Sequence, residues 1–277
     1  MNVLEFTSLI SLGALAAGFL GALTGLGGGV VIVPLLVLMG VDIHYAIGAS
    51  LVSVIATSSG AAASYVKEGY SNIRIGMFLE IATTLGAVTG AYLNKKIDPS
   101  ALFIVFGVVL LFSAYLSLRQ RRQAGTAEKA DPLATALRLD STYPTSEGRK
   151  HYHVHGVPQG FGLMYIAGCL SGLLGIGSGA LKVLAMDQAM RIPFKVSTTT
   201  SNFMIGVTAA ASAGVYLHEG YIVPSLAMPV MLGVLTGSLL GARILMVAQT
   251  KVLRRVFSAV IFALAIQMII KGCTGKL

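Results

Sequence analysis

The sequence predicts an all-α polytopic membrane protein with two homologous repeats that run inverted to one another. Each repeat is a Gly-broken helical hairpin or span plus three transmembrane helices, about 8 to 10 membrane segments in all. Three observations predict this. Hydrophobic residues make up 55% of the 277 and charged residues 11%, with mean hydropathy +0.80, whereas a soluble domain carries about a quarter charged residues. An apolar run from about Leu9 to Met39 is interrupted by Gly27-Gly28-Gly29. The same device returns at Gly175-Ile176-Gly177-Ser178-Gly179.

The first break organises the chain. A hydrocarbon core of ~30 Å takes about 20 helical residues, so Leu9–Met39 is too long for one span. Each glycine costs ~1 kcal/mol against alanine in a helix, which makes three in a row a stopping point. The segment Val30–Met39 then starts with free backbone N–H groups. Inside a membrane such groups need a partner, and broken backbone is tolerated only within protein or beside a cavity. The partner suited to a helix N-terminus is an anion.

The register of the second break supports a duplication. At a constant spacing of 151, Ser50 falls on Ser201, Thr57 on Thr208, Tyr65 on Tyr216 and Gly69-Tyr70 on Gly220-Tyr221, and Gly86 and Gly90 fall on Gly237 and Gly241. Gly-interrupted segments at matching places in two halves point to a transporter site.

Taken in order, residues 1–118 form the first repeat. They comprise the broken segment near Thr7–Met39 and spans near Tyr45–Val66, Ile75–Asn94 and Ala101–Leu118, with Asp98 and Pro99 turning the chain before the last. Residues 119–157 are a polar, charge-rich cytoplasmic linker with a short surface helix expected around Pro132–Leu139. Residues 158–277 form the second repeat, with a broken segment near Gly160–Met190 and spans near Val196–Leu217, Val223–Val247 and Val252–Ile270.

Charge decides between topologies. If each broken segment is one span, the two sides hold 11 and 8 of the loop Lys and Arg residues; if each is a hairpin, they hold 15 and 4. Cytoplasmic loops concentrate Lys and Arg, which favours hairpins, inverted repeats, termini outside and the linker inside. The net charge of +9 then belongs to cytoplasmic loops, and no nucleic-acid partner is expected. Glu5 and the lack of a basic N-terminal stretch argue against a cleaved signal peptide. Cys169 and Cys273 sit in apolar surroundings without disulfide or metal-ligand spacing. No phosphate-binding loop of the G-x-x-x-x-G-K-[ST] type is present. No cofactor and no metal are expected.

The candidate substrate-binding residues are Gly27, Gly28, Gly29, Ser50, Gly177, Ser178, Gly179, Lys182, Ser201 and Asn202. The glycines and Ser178 mark where two half-helices aim their N-termini at a shared centre. Lys182, in the first turn of the second half-helix, adds a full charge; its structural alternative is snorkelling or pairing with Glu80. Glu80 is the one carboxylate deep in a predicted span and the candidate for proton coupling. Ser50, Ser201 and Asn202 either donate to an oxyanion or satisfy helix carbonyls. Gly86/Gly90 and Gly237/Gly241 read as close helix contacts. His151, His153 and His155 alternate as strand residues do, but in a polar linker they read as a solvated loop rather than a metal site. Asp42, His44 and Asp187 read as turn and capping residues.

Gly21-x-x-x-Gly25-x-Gly27-Gly28-Gly29, then Val33-Pro34-Leu35 and Ala46-Ile47-Gly48-Ala49-Ser50, with their second copies, resemble the TauE/SafE sulfite-exporter-like transporters, also called TSUP. The resemblance covers nearly the whole chain outside the linker. It implies secondary transport, by export, of sulfur-containing or carboxylate anions such as sulfite, sulfoacetate or thiosulfate. It also implies a multi-pass protein of a bacterial or archaeal plasma membrane. The second copy departs from the pattern at Gly177-Ser178-Gly179, at Leu184 in place of Pro34, and at Lys182. The partners expected are a small anion and the lipid bilayer, with room for a homo-oligomer. The alternatives are an anion channel and, further off, an intramembrane enzyme, for which the spans lack a paired nucleophile and base. A simple membrane anchor has no use for broken helices.

Overall fold

A computed structural model describes residues 3–24, 28–67, 71–118, 131–145, 148–245 and 250–274. Gly27, together with Gly25, Gly69 and Tyr70 of the sequence patterns, lies outside the described residues. The described residues are helical nearly throughout. It runs α1 (Val3–Thr24), α2 (Gly29–Leu38), α3 (Ile43–Lys67), α4 (Ile73–Asn94) and α5 (Pro99–Leu118). A small cap of α6 (Pro132–Ala136), β1 (Ser141–Thr145) and β2 (Gly148–Tyr152) follows. Then come α7 (Val157–Leu174), α8 (Gly179–Leu184), α9 (Phe194–His218), α10 (Pro224–Leu245) and α11 (Thr250–Thr274). A π-helical turn, Ala185–Ala189, continues α8.

Local sequence explains the ends. Asn72 caps α4 by accepting from the Ile75 amide at 3.2 Å, and Asp131 caps α6 ahead of Pro132. Asp42 Oδ1 accepts from the His44 amide at 2.9 Å at the start of α3, so this pair is a cap. Gly175 ends α7 in the left-handed region at φ 68, where a side chain would be strained.

Both broken segments turn back on themselves. Gly13 of α1 faces Leu35 of α2, and Gly18 and Gly28 meet the same residue, Val234. In the second half the His155 amide donates to the Met190 carbonyl at 3.1 Å, and Gly160 packs against Met190. The short limbs therefore return alongside α1 and α7. With 10 residues, α2 covers only about 15 Å.

Glycines set which helices touch and in which direction. On α4, Gly86 and Gly90 lie under the backbone of Tyr165 and Cys169, while Gly168 and Gly172 of α7 lie against Thr83 and Ala87. Residue numbers rise together, so α4 and α7 are parallel. In the same way, Gly233 and Gly237 of α10 meet Ser11, Leu15 and Phe19 of α1, also parallel. Gly107 of α5 meets Ala265 and Ile269, whereas Gly272 of α11 meets Ser100 and Ile104; this pair is antiparallel. Backbone contact this close admits no side chain, which is the packing use read from the sequence.

Two apolar clusters result. The larger buries α2 almost entirely among α1, α3, α5, α9, α10 and α11, with Ile32, Val33, Leu51, Phe106 and Val230 fully enclosed. The second joins Ile75 and Leu79 of α4 to Met164, Met186, Met190 and Met204, and is closed by Leu139, Tyr152 and Val154 from the cap. The outer faces are apolar as well: Met77, Ile81 and Leu85 follow one another up α4 at 61%, 57% and 58% exposure. A helix in water shows the opposite pattern.

The linker differs from the solvated loop expected at 151–155. β1 and β2 pair antiparallel with Ser141 opposite Tyr152, and Tyr152 and Val154 turn inward while His151 and His153 stay outside. The period of two is the one the sequence carries; the burial of its apolar members is what polarity hid. Asn72 holds the cap down, donating through Nδ2 to the Leu139 carbonyl at 3.1 Å and to the Tyr152 hydroxyl at 2.7 Å. Burial pushes the Tyr152 phenol up to about 12, with Asp140 nearby adding to the rise. His153 reaches Asp140 at 3.1 Å.

Candidate functional site

The two breaks meet around α3 and α9. The Ser50 hydroxyl of α3 donates to the Gly175 carbonyl of the second break at 2.8 Å and lies 3.5 Å from the Gly29 carbonyl of the first. From α9, Ser201 donates to the Gly179 carbonyl at 3.3 Å. A side chain on Gly29 would collide with Ser50, Val54 and the Gly175 carbonyl, and one on Gly179 would meet Ile205. Thus Gly28, Gly29, Ser50, Gly177, Ser178, Gly179 and Ser201 gather at one place, as the sequence pattern suggests. Asn202 is half-buried on α9 and takes no part in these bonds. Gly27 is outside the described residues.

Carbonyls and amides are treated differently at the second break. Tyr216 donates its hydroxyl to the Gly172 carbonyl at 3.0 Å, Asn94 donates to Leu173 at 2.8 Å, and Ser50 serves Gly175. The carbonyls of Gly172, Leu173 and Gly175 at the end of α7 are therefore satisfied. Among the described residues no acceptor serves the amides of Gly177, Ser178 and Gly179. Ser178, in the left-handed region at φ 43, is buried and its hydroxyl has no partner. Donors left open beside satisfied acceptors suit an anion.

One turn further along α8 stands Lys182, with no exposed surface. Its ammonium donates to Thr208 Oγ1 at 2.5 Å, and that oxygen lies 2.6 Å from Glu80 Oε1 and 2.9 Å from the Met204 carbonyl. Thr84 also donates to Glu80 Oε1, at 3.2 Å, while Glu80 Oε2 is buried without a partner. The lysine and the glutamate are thus bridged by one hydroxyl rather than paired directly, a variant of the pairing weighed from the sequence. Their bridge was not legible there: Thr208 was visible only as the counterpart of Thr57. Thr57 itself bonds the Ser53 carbonyl of its own helix at 3.1 Å, so it does not repeat the bridge that Thr208 makes between Lys182 of the second half and Glu80 of the first. Elsewhere Asp187, in the π-helical turn, is buried and accepts from Gln188 at 3.0 Å.

Comparison with known proteins identifies the family. A family model described as Sulfite exporter TauE/SafE matches residues 10–268. A probable membrane transporter protein of Bacillus subtilis (strain 168), YunE, is 30% identical over 279 residues, covering 97% of this chain and 99% of that one. A probable membrane transporter protein of Xylella fastidiosa (strain 9a5c) is 29% identical, covering 97% of each. A second Bacillus subtilis relative, YdhB, is 30% identical over 82% of this chain and 83% of its own. No solved structure matches. The apolar outer faces, the composition and the breaks held inside the helices have one common explanation: the chain is a membrane transporter protein, not an enzyme, and belongs to the TauE/SafE sulfite exporter family.

Proposed function

We propose that this protein is a secondary transporter that exports small sulfur-containing or organic anions, such as sulfite or sulfoacetate, across the plasma membrane. The observation that carries the reading is Lys182, wholly buried one turn from a break whose amides lack acceptors. The anion lies between the two breaks near the midplane. The amides of Gly177–Gly179, the Ser178 hydroxyl and Lys182 meet it, Gly28 and Gly29 line the facing break, and Asn202 borders the site. Ser50 and Ser201 hold the breaks in place through their carbonyl bonds.

The chain is two inverted repeats, each of five helical segments, with the linker on the cytoplasmic side. Parallel α1–α10 and α4–α7 pairs with an antiparallel α5–α11 pair support this, because a broken segment crossing as a single span would make α5 and α11 parallel. Rocking of one repeat against the other then exposes the site alternately. Glu80 is the candidate for coupling the anion to protons.

Flux into and out of proteoliposomes tests the reading. Saturable movement of sulfite, sulfoacetate or thiosulfate, reduced tenfold or more by Lys182→Ala, is the expected result. Flux proportional to concentration without saturation would instead mark an anion channel. Folded protein that moves none of these anions would refute the assignment.

A further inference from the structure

Resting on the anion-site reading, we propose that Lys182 and Glu80 form a counter-ion switch: the arriving anion takes Lys182 from Glu80, and Glu80 then binds one proton that travels with it. Without substrate, the Lys182 ammonium and the Glu80 carboxylate balance one another through Thr208. Both are at least nine-tenths buried. A buried charge without its partner is strongly disfavoured. When an anion engages Lys182, the carboxylate loses its compensating charge. The unpartnered Oε2 is the atom left to take a proton.

The charges acting on this pair are few. Lys182 is the charged group acting on Glu80, and Glu80 the one acting on Lys182, among the described residues. Helix α4 is faced by α7, which brings the titratable residue Cys169, with its backbone against Gly86 and Gly90, and by α9, which contributes the Thr208 hydroxyl. Around α8, the π-helical turn brings Asp187, already bonded to Gln188. Among the described residues the other side chains acting on Glu80 are threonine hydroxyls, which are no base to hold the proton in its stead.

The balance per turnover follows. The empty carrier holds one ammonium and one carboxylate. The loaded carrier holds the ammonium, the anion and a carboxylic acid, its new O–H formed with a proton from the side the anion enters. Release of the anion on the far side returns Lys182 to Thr208 and expels the proton there. A monovalent anion thus crosses without net charge. A divalent anion crosses with one negative charge instead of two, and the interior-negative potential still assists its export.

The test uses the full-length protein in liposomes carrying an internal pH dye and a potassium-clamped potential. Sulfite, sulfoacetate and thiosulfate are the probes; the last two carry no titrating proton near neutrality. Saturable flux with one proton per anion, and with one charge per thiosulfate, is expected. Glu80→Gln should lose proton movement at least tenfold while anion–anion exchange continues. Thiosulfate moving two charges and no proton in the unaltered protein would overturn the switch while leaving the transporter reading intact. That measurement needs no variant, so a Glu80→Gln protein that fails to fold does not rescue the idea. Proton movement that persists in folded Glu80→Gln would also overturn it. Absence of saturable flux for all three probes would overturn the transporter reading and the switch with it.

Discussion

At the scale of single residues, Ser178 combines backbone strain with a buried hydroxyl that has no partner. A side chain in the left-handed region costs roughly 1–2 kcal/mol relative to the usual basin, and a buried hydroxyl without a partner adds to that. Ser178 retains both. Under the proposed function, that cost is offset when the hydroxyl meets the anion. Ser178→Gly separates the two effects. Thermal unfolding in detergent should show stability kept or raised by up to about 1 kcal/mol, while KM for the transported anion rises several-fold. A glycine variant with unchanged KM would make Ser178 a fold residue only. The residue scale was also where sequence reading fell shortest. Ser50 and Ser201 stood out by register, but their partners, the Gly175 and Gly179 carbonyls, are backbone groups that no side-chain pattern announces.

Between elements, the glycines decide how near two helices come. A side chain on Gly172 would overlap the Ala87 carbonyl, and one on Gly90 the Cys169 carbonyl. The neighbour in each case is backbone and has no rotamer to yield. Gly172→Ala should therefore push α7 from α4 and destabilise the protein by about 1–3 kcal/mol. Gly214, with nothing near its missing Cβ, supplies the control: Gly214→Ala should be neutral or slightly stabilising in the same unfolding measurement.

The cap on α4 has its own signature. Its Tyr152 phenol sits at about 12, above the ~10 of a free tyrosine, so the folded cap favours the neutral form. Its contribution is complete below pH ~10 and is lost as pH rises toward the folded value. Protection from hydrogen exchange, taken relative to the base-catalysed intrinsic rate, should hold through neutrality in residues 139–145 and 148–154 and fall above pH ~10. Tyr152→Phe should remove that alkaline step. It should also cost about 1 kcal/mol at neutral pH for the lost Asn72 bond.

For the whole molecule, direction is the quantity to measure. Inverted hairpin repeats place both termini on one side of the membrane and the cap on the other. Cys273 is exposed near the end of α11, and Lys150 is exposed on β2. An impermeant maleimide added to intact cells should label Cys273. In a Cys273→Ser background it should label Lys150→Cys only after the membrane is opened. Labelling of both from the same side would contradict the inverted arrangement.

The sequence by itself determined the kind of molecule and where its helices stop. Those properties are local: apolar run length against membrane thickness, glycine cost, and the recurrence of a pattern at fixed spacing. It also marked Lys182 and Glu80 as unusual, because ionisable groups within apolar runs are costly enough to be rare. Only the tertiary structure decided that α2 folds back along α1, that the polar linker buries Tyr152 and Val154 as a lid on α4, and that Thr208 stands between the two charges. Thr208 and Glu80 are 128 positions apart. A contact of that range is fixed by which helix faces close upon one another, and the packing that selects those faces is a property of the assembled bundle rather than of any one stretch of chain.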